Sequence, residues 1–487
     1  MEIRNVFKIS AITTALVLAG CGGDININEG DEVVVTPTTP TTPTTPTTPT
    51  TPDVDTPFSL GLATDASSEF STITDKPVYR LDDDLVLTQD MTLTNDAHWI
   101  IKGRTAVGND NADSTVLTIE EGTTVIGEDG DDFLVVRRGS QIEASGSSSA
   151  PIVMTSIQDV TGEETSIGQW GGVVLLGNAP TNLCNTGDDD QTSDDELASC
   201  GVSAEGDAGL YGGNDAEDDS GTLEYVVVKH AGKALASGDE LNGISFAGIG
   251  SETTVNHIQV HQNLDDGIEF FGGTVSVSNV VLTDIGDDSL DWSFGWTGSA
   301  TNVYIQQSAD GGDNAIEADN NEDNPSWLPL TKPTVSNVTI VSADGTNGVR
   351  LRNGTAGVLS NVVVTGSTLA ANCLRVNGDE SIANAESGEL SITNSVVACE
   401  TPANNFGSDE ISGDSTQAWF EGQTGNSVLT PSELLFEDNG YFPTSASPLA
   451  NSGNYIGAFD PAGEDWTTGW TVGVNGGFPI DIQTAFE

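Results

Sequence analysis

Positive charge is the scarcest property of this chain. Only 14 lysines and arginines stand against 74 aspartates and glutamates, a formal charge of −60 over 487 residues. Such a surface repels a phosphate backbone, so nucleic acid is excluded as a partner and cations are implied instead. Histidine (4) and cysteine (5) are also few. His98, His230, His257 and His261 lie near no cysteine and no second ligand set, which argues against zinc or copper. They read as surface or turn residues, although His257 and His261 share a strand face. No cysteine sits in a setting that would make a reactive thiol. Long apolar runs are missing too, because the single N-terminal one, ending at Cys21, is too short to span a bilayer.

What the chain has is repetition. Aligning His257, Asn279 and Asn302 puts Ile268, Leu290 and Ile316 in one column, Glu269, Asp291 and Glu317 in the next, and Phe270, Trp292 and Ala318 in a third. The register continues through Asn337 and Asn361, where Val349-Arg350-Leu351 and Leu374-Arg375-Val376 fill the same columns. Each unit holds two short runs of β-branched or aromatic residues separated by Gly, Asn and Asp, which makes strands. One such unit cannot bury its inward face alone, so successive units must stack at about 4.8 Å. The expectation is an all-β chain, a single-stranded parallel β-helix solenoid. Asn279, Asn302, Asn337 and Asn361 suit a stacked turn, each amide bonding the next.

Residues 1–21 read as an export leader, with Arg4 and Lys8 flanking the start of the apolar run. Leu18-Ala19-Gly20-Cys21 resembles the lipobox of bacterial lipoproteins, in which the cysteine is acylated. The resemblance makes Cys21 a lipid anchor in the membrane, and Gly22 after it implies the outer membrane, at its periplasmic face or the cell surface. Residues 22–57 are a tether whose Thr-Thr-Pro triplets favour polyproline II. Residues 58–487 then form one solenoid domain, with an acidic insertion at 178–221 and a C-terminal cap from about residue 440. In an exported protein Cys184 with Cys200, and Cys373 with Cys399, read as disulfides. Four cysteines allow three connectivities, and the local pairing is preferred.

Much of the acid could be a solvated coat, but the repeat columns differ. Asp265, Asp287 and Asp313 form one column and Asp266 and Asp288 another, beside Glu269, Asp291 and Glu317. Adjacent ionised pairs at about 4.8 Å repel by roughly 3 kcal/mol at an effective dielectric near 20. Calcium, which takes six to eight oxygen ligands, is the leading candidate to offset this, with Asp265, Asp266, Asp287, Asp288 and Asp313 as ligands.

The chain resembles the pectin-lyase-like right-handed parallel β-helix proteins, and more narrowly the outer-membrane β-helix lipoproteins of marine and related Gram-negative bacteria. The motifs that carry this are Ile119-Glu120-Glu121-Gly122-Thr123, Gly168-Gln169-Trp170-Gly171-Gly172, Asp265-Asp266-Gly267-Ile268-Glu269-Phe270-Phe271-Gly272-Gly273, Ile456-Gly457-Ala458-Phe459 and Asp465-Trp466-Thr467-Thr468-Gly469-Trp470. The resemblance implies the right-handed fold; chemistry does not transfer with it.

Two classes of function follow. One is a surface binding or scaffold protein that meets a glycan or an outer-membrane protein. The other is a polysaccharide lyase or glycosidase, in which Arg350 and Arg375 continue the column of Glu269, Asp291 and Glu317 to neutralise a uronate. Trp296 and Trp327 could stack sugars, whereas Trp292, in the Phe270 column, reads as core. The lyase reading lacks a base, since arginine stays protonated and no lysine falls in these columns.

Overall fold

The computed structural model describes residues 54–185, 194–236, 239–309, 311–366, 372–401, 405–451 and 454–474. The expected leader, Cys21 and nearly all of the expected tether lie outside these residues. Among them, no helix is long and apolar enough to cross a membrane.

The repeat is a parallel β-helix. Ten short strands stack in chain order into one parallel sheet, from Val86–Leu87 to Leu374–Val376. Longer strands such as Thr254–His261, Ser276–Thr283, Ser299–Gln306, Thr334–Ser342 and Gly357–Gly366 stack into a second. The expected columns hold residue for residue: Ile268 pairs with Leu290, Leu290 with Ile316, Ile316 with Val349 and Val349 with Leu374. All five are buried in the continuous interior cluster. There Phe270 stacks between Phe246 and Trp296, at centroid distances of 5.3 and 4.0 Å.

The asparagine turn shows how sequence sets the coil. Asn279, Asn302, Asn337 and Asn361 adopt left-handed φ of 54 to 57°, which asparagine tolerates better than branched residues. Each donates its amide to the asparagine of the preceding coil, Asn302 to Asn279 at 3.1 Å, Asn337 to Asn302 at 3.0 Å and Asn361 to Asn337 at 3.0 Å. The left-handed residue breaks the alternation of the strand, so Val277 and Val280, three apart, both face the core.

The expected disulfides form, Cys184 with Cys200 and Cys373 with Cys399. The first staples the insertion, whose strands Val202–Ser203 and Leu210–Tyr211 pair antiparallel. Ala208 and Tyr211 pack against Val174, Leu176 and Ala247 on the outer side of the short-strand sheet. The insertion is therefore a roof over the early coils, held also by Arg138, which donates to the carbonyls of Cys200 and Gly212 at 2.7 and 2.8 Å. Residues 441–451 and 454–474 run along the outer side of the long-strand sheet, where Tyr441, Phe459 and Trp470 cover Val227, Val281 and Tyr304.

The histidines depart from their expected placement. His98, His230 and His261 are buried, and His257 is half-buried, stacked 4.2 Å from Tyr225. His230 and His261 lie beside an ion pair of 2.7 Å between buried Lys229 and half-buried Asp159, near the C-terminal segment. Packing by distant residues put them inside, and spacing in the chain gave no sign of it.

Candidate functional site

The acidic columns occupy the connection that enters each short strand, and the outward face of the strand itself. Asp266 Oδ1 accepts the backbone N–H of Asp288 at 2.9 Å, and Asp288 Oδ1 accepts the N–H of Asn314 at 2.6 Å and its side-chain amide at 2.9 Å. One coil earlier Asn242 Oδ1 accepts the N–H of Asp266 at 3.2 Å. An amide oxygen would satisfy these donors equally well, and asparagine does so at Asn242. The two aspartates therefore bring negative charge that the turn itself does not need.

The outward column runs Ser245, Glu269, Asp291, Glu317, Arg350, Arg375 by strand register. Four overlapping groups result: Asp265, Asp266 and Asp287; Asp266, Glu269 and Asp291; Asp287, Asp288 and Asp313; and Asp288, Asp291 and Glu317. In each group one ligand atom per residue lies within 4.8 Å of the others. Asp287 and Asp313 are exposed, Asp265, Glu269 and Asp291 are half-buried, and Asp266, Asp288 and Glu317 are buried. Buried Asp291 Oδ1 has no hydrogen-bond partner among the described residues.

Burial, followed by crowding of like charges, raises the proton affinity of Asp265, Asp266, Glu269, Asp287, Asp288, Asp291 and Glu317. Burial, then repulsion from Asp288 and Asp291, holds Asp266 well above the usual carboxylate range. Burial does the same to Glu269, with Glu205 the strongest repelling charge, to Asp288, with Glu317, and to Asp291, with Glu269. Asp265 is pushed up to about 7 by burial and then Glu240. Glu317 also rises to about 7 through burial, although Arg352 and Arg350 oppose the shift.

At the basic end Arg350 Nη1 lies 3.4 Å from Glu317, and Arg352 pairs with both Glu317 and Asp319, the latter at 2.9 Å. Arg375 bonds Asp409 at 3.0 Å and keeps 39% of its side chain exposed. Two expectations about tryptophan need correction or relocation. Trp296 is fully buried against Phe270 and donates to the Val275 carbonyl at 2.9 Å, so it cannot stack an external sugar. Its neighbour Gly295 has φ of 93°, a backbone turn that carries the indole into the core. Trp327 is half-buried in the connection that leaves the short strand, whereas Asp265, Asp266, Asp287, Asp288 and Asp313 lie in the one that enters it.

Sequence reasoning missed several members of the site. Arg352 was legible, since it follows Arg350 by two residues and shares its outward side. Asn242 and Asn314 could have been found by extending the Asp266 and Asp288 column. Glu205 and Glu240 come from the roof and from the hairpin Lys233–Ala236 with Asp239–Leu241, which no repeat register predicts.

A family model described as a pectate-lyase like beta helix domain matches residues 85–471. The chain belongs to that family. Searches of curated proteins and of solved structures gave no match. Membership in the pectate-lyase-like β-helix family accounts for the stacked coils. Within the family fold, the chemistry of this chain must be read from its own columns.

Proposed function

We propose that this pectate-lyase-like β-helix is an outer-membrane lipoprotein, anchored through Cys21, that binds acidic polysaccharide at the cell surface through divalent cations held on its acidic columns. The observation that carries this reading is the set of four overlapping carboxylate groups beside Arg350, Arg352 and Arg375. Every candidate ligand there is a hard oxygen, which favours calcium over zinc or copper, and the unpartnered Asp291 Oδ1 suits a ligand atom. Asp265, Asp266, Asp287, Asp288 and Asp313 would hold the ion, with Glu269, Asp291 and Glu317 at the strand. A bound cation would supply counter-charge to the columns and to uronate carboxylates, while the exposed part of Arg375 would add a second anionic contact.

A glycosidase reading has one observation in its favour. Asp265 and Glu317, each raised to about 7, sit beside other carboxyls as a general acid does beside its partner.

The test is calorimetric titration of the detergent-solubilised full-length protein with polygalacturonate and alginate, with calcium and with chelator, alongside assays for new reducing ends and unsaturated uronate. Calcium-dependent binding without product is expected, weakened by Arg375→Ala. Equal binding in chelator would sink the cation reading, and product formation would favour the enzyme.

A further inference from the structure

Next to the acidic face the roof encloses a cavity of about 150 Å³. Its floor is the outer side of the short-strand sheet, at Val174, Ser245, Ala247 and Phe271, and its cover is Leu183, Val202 and Tyr211. Ser245 pairs in register with Glu269, so the cavity is the covered continuation of the carboxylate column. Leu183, Val202, Phe271 and Phe294 keep partial exposure at its edge, so it opens to solvent. A dry apolar cavity near this size admits a benzene ring.

Two features define what would fit. The lining is mainly aliphatic and aromatic, with Tyr211 6.3 Å from Phe271 and Phe271 6.2 Å from Phe294 between ring centroids. A sugar ring, with a hydroxyl on most carbons, would leave its polar groups unpaired against such walls. The charged exception is Glu205, which lines the cavity together with Ser203 and Ser245 and is repelled by Asp239, Glu240, Asp265 and Glu269. Among these neighbours the charge is of one sign, so an occupant with a positive group is favoured over a neutral or anionic one.

We propose that this roofed cavity is a binding site for a small aromatic or alicyclic amine, its ring held among Tyr211, Leu241, Phe271 and Phe294 and its ammonium directed to Glu205. The site is separate from the cation and polysaccharide reading. It uses no divalent ion, and the ring occupies space that the carboxylates of the columns do not line. The ammonium supplies the donor and the charge that the Glu205 cluster lacks, and the ring gains dispersion contacts with apolar walls that otherwise face empty space.

The experiment is titration of the full-length protein with benzylamine, with benzyl alcohol as the neutral isostere, in chelator so that divalent ions play no part. Saturable one-to-one binding of benzylamine is expected, with benzyl alcohol weaker by about tenfold or more, the order of one charge-assisted hydrogen bond. Glu205→Gln should bring benzylamine to the level of the alcohol. Ala247→Leu, which fills the floor with apolar volume, should abolish binding of both. Melting curves of each variant verify that it is folded, and protection of the wild-type protein by benzylamine against thermal unfolding gives an independent readout. Equal affinity for the amine and the alcohol, unchanged amine binding in folded Ala247→Leu, or the absence of saturable binding and thermal protection in the wild-type protein would each overturn the assignment.

Discussion

Asp288 accepts the backbone N–H of Asn314 at 2.6 Å while its own N–H is accepted by Asp266 at 2.9 Å, so one carboxylate per coil closes the turn of the next. Hydrogen bonding and charge thus act in opposite directions at one residue. The turn gains from the acceptor, and the column loses from the repulsion.

Substitution separates the two. Asp287→Asn with Asp288→Asn keeps an oxygen acceptor at 288 and removes two charges, so stability in chelator should be unchanged or raised while most of the calcium response disappears. An ion bound only by the native state at a hundred times its dissociation constant adds about 2.7 kcal/mol. Asp288→Ala should instead cost about 1–3 kcal/mol, because buried donors of Asn314 lose their partner. Melting curves with calcium, chelator and matched sodium check this; a full calcium shift in the double variant would leave the columns as a solvated face.

The raised proton affinities fix a pH dependence. Asp265 and Glu317 titrate at about 7 in the folded protein and near 4 in the unfolded chain. The folded state binds more protons across that window, so the contribution is full below about pH 4 and is lost as pH rises through about 7. In chelator, the advantage of the wild-type protein over Asp265→Asn/Glu317→Gln should therefore shrink between pH 5 and 8. Chemical denaturation at both pH values measures it, and an advantage that grows with pH would contradict the assignment.

Leu290 is fully buried between Ile268 and Ile316, and Leu290→Ala should cost about 2–5 kcal/mol. Trp296→Ala should cost about 3–5 kcal/mol and leave the affinity of folded protein for polysaccharide unchanged, as befits a core residue. A selective loss of binding in Trp296→Ala would place that indole at the ligand.

The Cys184–Cys200 disulfide closes a loop with sequence separation 16, worth about 3 kcal/mol by chain entropy. Cys184→Ser/Cys200→Ser should loosen the roof before the coils. Hydrogen exchange should then rise at 202–211 and stay low at 268–293; equal exchange in both segments would mean that roof and coils open together.

Cys21→Ala should leave the protein unlipidated, so that it no longer partitions into detergent. Unchanged partitioning would remove the lipid anchor from the proposed function.

The sequence by itself determined the coil and its register. A two-residue alternation and a repeated Asn or Asp-Gly turn are local signals, and stacking identical units converts them directly into the columns of Leu290 and Asp291. Burial of Leu290 and the approach of the column carboxylates to one another follow from that register alone. Only the tertiary structure decided which parts of those columns are covered. Glu205 acts on Glu269 from an insertion earlier in the chain, and His261 is buried near Gly473, which returns along the flank from the far end of the chain. Neither contact obeys the repeat. The repeat fixes what each coil presents to its neighbours, whereas insertions and returning segments are placed by surface complementarity, which leaves no period in the sequence. Trp296 belongs to the same class: its chain position adjoins the site, and one left-handed glycine before it turns the ring inward.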